Sequence, residues 1–390
     1  MTVDRTRALR PIRFMAIAAA IGLAACGPGS TVLEGPGAAP RPGWRFGTAE
    51  HMALWYHGLA LVGVEHAEHG AGRDSDGEHE STPLPLPAYR AGYAEAVAAV
   101  RRDRGVGPTP LDERADEFRA VFADPAYRPL QFLPLYFEDR EALFSGIRAW
   151  ERAGGAPRRA GDAASAEVVA FLSGLFPRAE QRKVVVDWAR ALEAEHEAFF
   201  GVYWAETRAE LEEAAEAVAG AWGDVASKLS GYLLHTGLRS ADVVLVPAIG
   251  AEGRMVVRGT RVPRIVMATP WSARPGAAFD PEHVIFALLR ESTYGLVGEA
   301  IREHVAPARI RLTGESVLSA RAATHAGLAL IEGLAPERAD EYRRFFLEQA
   351  GRAVPGDPAA LEAAFADAFP LPEGLEEGIR EIIRQALAGI

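Results

Sequence analysis

The spacing of apolar residues predicts a chain built mostly of helices. Between Ala49 and Val62, the residues Met52, Leu54, Trp55, Leu59 and Val62 supply one apolar face, and a polar loop from Gly63 to Pro87 follows. Further helices are expected over residues 88–102, 111–122, 138–152 and 163–175, each bounded by Gly or Pro. The longest helical stretch runs from about Ala179 to Leu234. In its second half Leu211, Ala215, Val218, Trp222, Val225 and Leu229 fall at spacings of 4, 3, 4, 3 and 4, one continuous apolar seam. Gly201 and Gly220 are the points at which this helix would bend or divide, and the eight Glu residues between 193 and 216 read as its solvated face. After Ser240 the pattern changes. Residues 243–246, 255–258 and 262–268 are β-branched runs separated by Glu252-Gly253 and Gly259-Thr260, which reads as a small antiparallel meander. Helical patterning returns at Asp280 and continues to Ile390. The expected class is α+β, predominantly α-helical, with a helical N-terminal region and a small sheet placed late.

The first residues change this picture, because they do not read as part of the fold. Arg5, Arg7, Arg10 and Arg13 precede a 12-residue apolar run, Phe14 to Ala25. That run is too short to cross a hydrocarbon layer of about 30 Å as a helix. It ends in Leu23-Ala24-Ala25-Cys26-Gly27, which closely resembles the lipobox of bacterial lipoproteins. The resemblance implies cleavage before Cys26, a diacylglycerol on its thiol, and a protein exported to the bacterial cell envelope and lipid-anchored to a membrane. No later run reaches 18 consecutive apolar residues, so the lipid on Cys26 is the expected membrane attachment. Cys26 is the only cysteine, which leaves neither a disulfide nor a free thiol nucleophile. The organisation expected is a signal peptide over 1–25, a Gly- and Pro-rich tether over 26–45, a helical region over 46–184 and an α+β region over 185–390.

Composition narrows the function classes. With 49% hydrophobic residues in 390, the chain is neither collagen-like nor disordered throughout. A formal charge of −11 and the absence of a basic stripe exclude a nucleic-acid partner. There is no Gly-x-Ser-x-Gly elbow, no Walker A loop and no Gly-x-Gly-x-x-Gly between strand and helix.

The most informative segment is a helix expected over 281–304, with Asp280 as its cap and Pro281 in its first position. Residues 284–289 are apolar on every side, and Arg290-Glu291-Ser292-Thr293-Tyr294 follows at once. Arg290 and Glu291 thus project from a buried helix, and an unpaired buried charge costs several kcal/mol. Adjacent side chains on a helix do not face each other, so both partners are expected from elsewhere. The helix over 316–334 offers candidates: Glu332 to answer Arg290, and His325 or Arg321 to answer Glu291.

A long helix, a small sheet, a buried helix with a central Glu and a later helix carrying Glu332-Gly333-Leu334-Ala335 resemble the layout of gluzincin-type metallopeptidases over roughly residues 205 to 345. In that family the buried helix carries His-Glu-x-x-His, and a later Glu is the third zinc ligand. The resemblance lays the motif Glu on Glu291, the later Glu on Glu332, and the two His positions on Arg290 and Tyr294, so the chain has R-E-S-T-Y in place of the zinc motif. Arg cannot ligate a metal, and Tyr is an uncommon ligand. The reading that follows is a zincin-like domain without metal or catalysis, a pseudoenzyme that binds or scaffolds a peptide or protein ligand and has no cofactor. A divergent hydrolase is the alternative, with Glu291 as general base and zinc recruited through His325 or the His66/His69 loop. A purely structural helical lipoprotein is the third. The loop over 64–80 holds His66, His69 and His79 among carboxylates, a weak metal candidate that also reads as a solvated acidic segment. His51 and His57 read as packing or capping residues.

Overall fold

The computed structural model describes residues 43–63, 86–258, 264–270 and 279–389. The chain is predominantly α-helical with one small sheet, as its patterning predicts. The N-terminal helices are α1 (Glu50–Val62), α2 (Tyr93–Asp103), α3 (Pro110–Glu113), α4 (Ala115–Phe122), α5 (Arg140–Arg152), α6 (Ala163–Leu175) and α7 (Ala179–Glu195). Acidic caps start two of them: Asp139 accepts from the Ala142 amide at 2.8 Å, and Asp162 from the Ser165 amide at 2.8 Å. The helix expected from Ala88 begins only at Tyr93, because Tyr89 bridges to Ile249 and the Arg90 amide donates to Ala248 at 3.0 Å.

The long helix is nearly continuous. α7 passes through a π-helical turn, His196–Phe200, directly into α8 (Gly201–Lys228), and α9 (Ser230–His235) follows. The chain adjusts beside Gly201, whereas Gly220 lies inside α8 with no break. The wider turn carries both Phe199 and Phe200 into the core. One acidic residue departs from the expected solvated face: Glu195 is fully buried.

The sheet has the order β1-β2-β4-β3, formed by β1 (Trp44–Gly47), β2 (Ala241–Val246), β3 (Arg254–Arg258) and β4 (Arg264–Pro270). It is mixed rather than an antiparallel meander. β1 and β4 both run parallel to β2, and only β3 and β4 are antiparallel. A tight hairpin after β2 is precluded because the connection to β3 is tied elsewhere: Ile249 bridges Tyr89, and the Gly250 amide donates to Ala88 at 3.0 Å. β4 then inserts between β2 and β3. Trp44 and Arg45, read from sequence as the end of the tether, belong to β1. The Trp44 indole donates to the Leu238 carbonyl at 3.1 Å and packs 4.3 Å from the Trp222 ring, while Arg45 pairs across the sheet with Asp242 at 2.7 Å.

Both faces of β2 are covered. Val244 and Val246 join an apolar cluster built from α1 to α8. Ala241, Val243 and Leu245, on the opposite face, join a second cluster with α8 and the C-terminal helices. This burial explains the uninterrupted apolar run of the strand. The changeover between clusters on the long helix lies between Leu211 and Ala214, well beyond the 184/185 division expected from sequence, which falls inside α7. The seam residues Leu211, Ala215, Val218, Trp222 and Leu229 are all buried.

The C-terminal helices are α10 (Pro281–Ser292), α11 (Tyr294–His304), α12 (Pro307–Thr313), α13 (Glu315–Leu334), α14 (Ala339–Gln349), α15 (Pro358–Ala368) and α16 (Leu375–Ala388). α10 is buried on every side from Val284 to Ser292 and is surrounded by α8, α13 and the sheet. No described helix is long and apolar enough to cross a membrane.

α13 approaches α10 closely at Gly327, where a β-carbon would stand 2.2 Å from the Tyr342 hydroxyl and 3.2 Å from the Arg290 Cα. Gly327→Ala is expected to lower stability by about 1–3 kcal/mol through overpacking. Gly220→Ala, on the exposed face of α8 with nothing within 4 Å, is expected to raise it by about 0.5–1 kcal/mol. Urea unfolding of the two variants measures both effects.

Candidate functional site

α10 begins as its sequence requires, with Asp280 accepting from the Glu282 amide at 2.9 Å and Pro281 in the first turn. The helix expected to run to His304 ends instead at Ser292, and Thr293 separates it from α11. The freed carbonyls are taken by side chains. Thr293 donates its hydroxyl to Arg290 at 2.7 Å, and Tyr232 donates to Ser292 at 3.0 Å.

Arg290 is completely buried, and its donors are distributed over four segments. Nε donates to Thr324 Oγ1 at 3.1 Å, Nη1 to Glu291, and Nη2 to the Tyr294 hydroxyl at 2.9 Å and Glu252 at 3.3 Å. The guanidinium also lies 5.3 Å from the Tyr294 ring centre. Glu291 accepts from the Gly253 amide at 3.0 Å as well, and Tyr294 donates to Glu252 at 3.2 Å. Beyond Glu252, Arg254 donates to Gln131 at 2.8 Å and to the Gly253 carbonyl at 2.8 Å. Two cations and two carboxylates therefore share one buried cluster that reaches from the C-terminal helices to Gln131 of the N-terminal ones.

The expected pairing is corrected in three places. Arg290 and Glu291 do meet, although adjacent on the helix, because the long arginine side chain turns its guanidinium round to its neighbour. Glu332 answers neither: it accepts from Arg343 at 2.8 Å and Arg380 at 2.5 Å. His325 stands against the Phe369 carbonyl at 2.8 Å, and Arg321, whose buried Nε has no partner, makes no ion pair among the described residues. Of the candidate residues, Arg290, Glu291 and Tyr294 are together, and Glu332 and His325 are elsewhere. His66, His69 and His79 lie outside the described residues, as does Cys26.

Electrostatics follow from burial. Desolvation opposes the Arg290 charge, yet Tyr294, Glu291 and Glu252 outweigh it and hold the guanidinium above its ordinary value. Burial raises Glu291, with Arg290 pulling against that rise. Burial also pushes the Tyr294 phenol well up, again opposed by Arg290. This donor set does not fit a zinc ion: a permanently protonated arginine sits at one ligand position, a protonated phenol at the second, and the carboxylate at the third, Glu332, is engaged with Arg343 and Arg380.

A second buried polar cluster lies in the N-terminal helices. His57 contacts Glu195 at 3.0 Å through Nε2 and the Tyr93 hydroxyl at 3.0 Å through Nδ1. Glu195 also accepts from Thr109 at 2.8 Å and from Arg101, which donates to Asp112 at 2.7 Å. Burial lowers His57 against the pull of Glu195. Burial works to raise Glu195, but its hydrogen bond and charge contact with His57, then Arg101, hold it low. His51, read with His57 as a packing or capping residue, is buried against the carbonyls of Pro134 at 3.2 Å and Phe137 at 3.1 Å. His57 belongs to this polar network instead. The signal for Glu195 was present in the sequence: it follows Val185, Trp188 and Leu192 at helical spacing on the apolar face of α7. Glu252 and Gly253, read as a plain turn, carried no such signal.

A cleft of about 710 Å³ opens away from both clusters, between β1 and the N-terminal ends of α1 and α5 on one side and α8 on the other. Phe46 and Trp204 line it together with Glu50, Glu138, Asp139 and Glu216. Compared with known proteins, the chain matches no family model, no curated protein and no solved structure.

Removing one member of the Arg290–Glu291 pair strands a buried charge, so Glu291→Gln and Arg290→Met are each expected to cost about 3–5 kcal/mol. The double variant should cost less than the two added together, by about 1 kcal/mol or more, in urea unfolding. The unfolded imidazole titrates near 6.5, and folded His57 lower. Stability is therefore complete above about pH 6.5 and declines as pH falls towards the folded value, where the unfolded chain takes up a proton that folded His57 refuses. Glu195 adds a further loss below about pH 4.3. His57→Gln should flatten the urea midpoint between about pH 7.5 and 5.5.

Proposed function

We propose that this chain is an exported lipoprotein of the bacterial cell envelope, held to a membrane by lipid on Cys26, whose folded body binds or scaffolds a peptide or protein ligand without catalysing a reaction. The observation that carries the non-catalytic reading is the state of Glu291. Its carboxylate accepts from Arg290 and from the Gly253 amide, inside a cluster in which Arg290 is fully buried. A general base needs a lone pair turned to a substrate within hydrogen-bond reach, and here both donors take Oε1 while only 3% of the residue is exposed to any substrate. The cluster also argues against a ligand cleft at the place where a zincin would hold its metal. The acidic cleft beside β1 is the better seat for a ligand. Phe46 to Ala49 line it, so a ligand there would sit next to the strand on which the tether arrives.

The anchor rests on the run Leu23-Ala24-Ala25-Cys26 behind a basic and then apolar start. Acyl chains on one cysteine contribute about 0.8 kcal/mol per buried CH₂, so two or more give stable attachment.

Two measurements test this reading. Cys26→Ser should abolish acyl labelling and move the protein from the detergent phase to the aqueous phase on phase separation. The purified protein, exposed to zinc and gel-filtered, should retain far less than one equivalent by mass spectrometry. Near-stoichiometric zinc that disappears in Glu332→Ala, accompanied by peptide hydrolysis that disappears in Glu291→Ala, would overturn the non-catalytic reading.

A further inference from the structure

Most arginines of the described body are neutralised by a carboxylate, including Arg101, Arg114, Arg148, Arg190, Arg290 and Arg343. Others, such as Arg302 and Arg309, stand singly without one among the described residues, and four gather at the turn after α5. Arg152, Arg158, Arg159 and Arg182 belong to this corner, and none of their guanidinium groups makes a hydrogen bond or ion pair among the described residues. The carboxylates nearest in sequence are engaged elsewhere: Glu151 with Arg190 at 2.7 Å, and Asp162 with Ser165. Glu180 is two residues from Arg182 on α7, and side chains at that spacing do not face each other.

Two of these guanidinium groups converge on a pair of glycines. Gly154 and Gly155 both have positive φ, 59° and 79°, a conformation that favours glycine. A β-carbon on Gly155 would stand 2.6 Å from Arg182 Nη1, and one on Gly154 would stand 3.6 Å from Arg159 Nη1. The missing side chain of Gly155 is what allows Arg182 to approach the turn, while Arg159 lies at van der Waals distance from the Gly154 position. The turn itself is held firmly. The Gly155 amide donates to Trp150 at 3.1 Å, its carbonyl accepts from the Ser173 hydroxyl at 2.8 Å, and that hydroxyl accepts from the buried Trp150 indole at 2.8 Å.

Unpaired guanidinium groups brought together on a fixed turn, in a chain with a formal charge of −11, repel one another unless an anion lies between them. The guanidinium fork matches tetrahedral oxyanions, whose several oxygens accept two or more N–H bonds each way. We propose that the Gly154–Gly155 turn with Arg159 and Arg182 is a binding site for a phosphate group, with Arg152 and Arg158 adding positive potential around it. The phosphate belongs to a lipid headgroup or to a soluble phosphate compound. This site is separate from the buried clusters and does not depend on lipidation of Cys26.

The test uses the full chain carrying Cys26→Ser, so that no acyl group draws it to a bilayer. Inorganic phosphate is titrated by calorimetry, and vesicles of phosphatidylglycerol or phosphatidylcholine are tested by sedimentation. Binding to at least one phosphate probe is expected, with phosphatidylglycerol preferred over phosphatidylcholine if the source is lipid. Arg159→Gln/Arg182→Gln should weaken that binding about tenfold or more, the loss of two charge-assisted contacts. Gly155→Ala, which places a methyl where the Arg182 guanidinium lies, should weaken it without changing the charge. Arg302→Gln/Arg309→Gln removes the same charge from exposed positions on α11 and α12 and should leave it unchanged. Saturation by inorganic phosphate alone assigns a soluble ligand; a phosphatidylglycerol preference alone assigns a headgroup. Failure to bind either probe, or equal weakening in the two double-arginine variants, would overturn the site.

Discussion

A guanidinium removed from water must have its hydration replaced donor by donor, and Arg290 sets that condition on the C-terminal half of the molecule. Burying an ion of this size costs several kcal/mol even after relaxation. Its donors go to Thr324 on α13, to Glu291 on its own helix, to Tyr294 on α11, and to Glu252 on the β2–β3 connection. Thr324 and Glu252 lie 34 and 38 residues from Arg290 in sequence, so the positions of α13 and the β2–β3 connection relative to α10 are constrained by one side chain. At the break after α10 Thr293 takes up the Arg290 carbonyl, and Tyr294, four residues on from Arg290, still reaches the guanidinium.

The mixed sheet is the second constraint, because it is shared. Alternate residues of β2 face opposite helical layers, so a shift of register by one residue would exchange the two sets. Arg254 adds a polar tie across the same boundary through Gln131. The long helix contributes to both layers in succession. Its π-helical turn follows directly after Glu195, which meets His57 and Arg101 from the apolar face of α7. The two halves are consequently joined by apolar packing, by a strand and by buried charge, rather than by a linker.

What could be read from the sequence was governed by local periodicity. The apolar seam from Leu211 to Leu229, the Asp280-Pro281 start of α10 and the burial of Arg290 and Glu291 all follow from spacing along one element. Strand pairing did not, since β4 inserts beside β2 only because the connection through Ile249 and Gly250 is held against Ala88 and Tyr89. β1 was hidden for a related reason: Trp44 to Gly47 is four residues long and gains its stability from Trp222 and the edge of β2, both far away in the chain. The partners of Arg290 were the least legible. Glu252 sits in a segment that looks like an ordinary turn, whereas Glu332 shows the right helical phase and is satisfied by Arg343 and Arg380. Helical phase identifies a face and says little about what stands opposite it.

The position of β1 also has a mechanical meaning. Any load applied to the residues before Gly43 enters the body at Trp44, on a strand aligned in parallel register with β2 over four residue pairs. A pull along the strand axis would strain the β1–β2 hydrogen bonds together, as a shear joint, with the Trp44 indole wedged against Trp222 as a stop. A pull across the sheet would instead open the bonds one after another from the Trp44 end. The fold thus converts the direction of force on its N-terminal end into two very different resistances, and the stronger one lies along the strand.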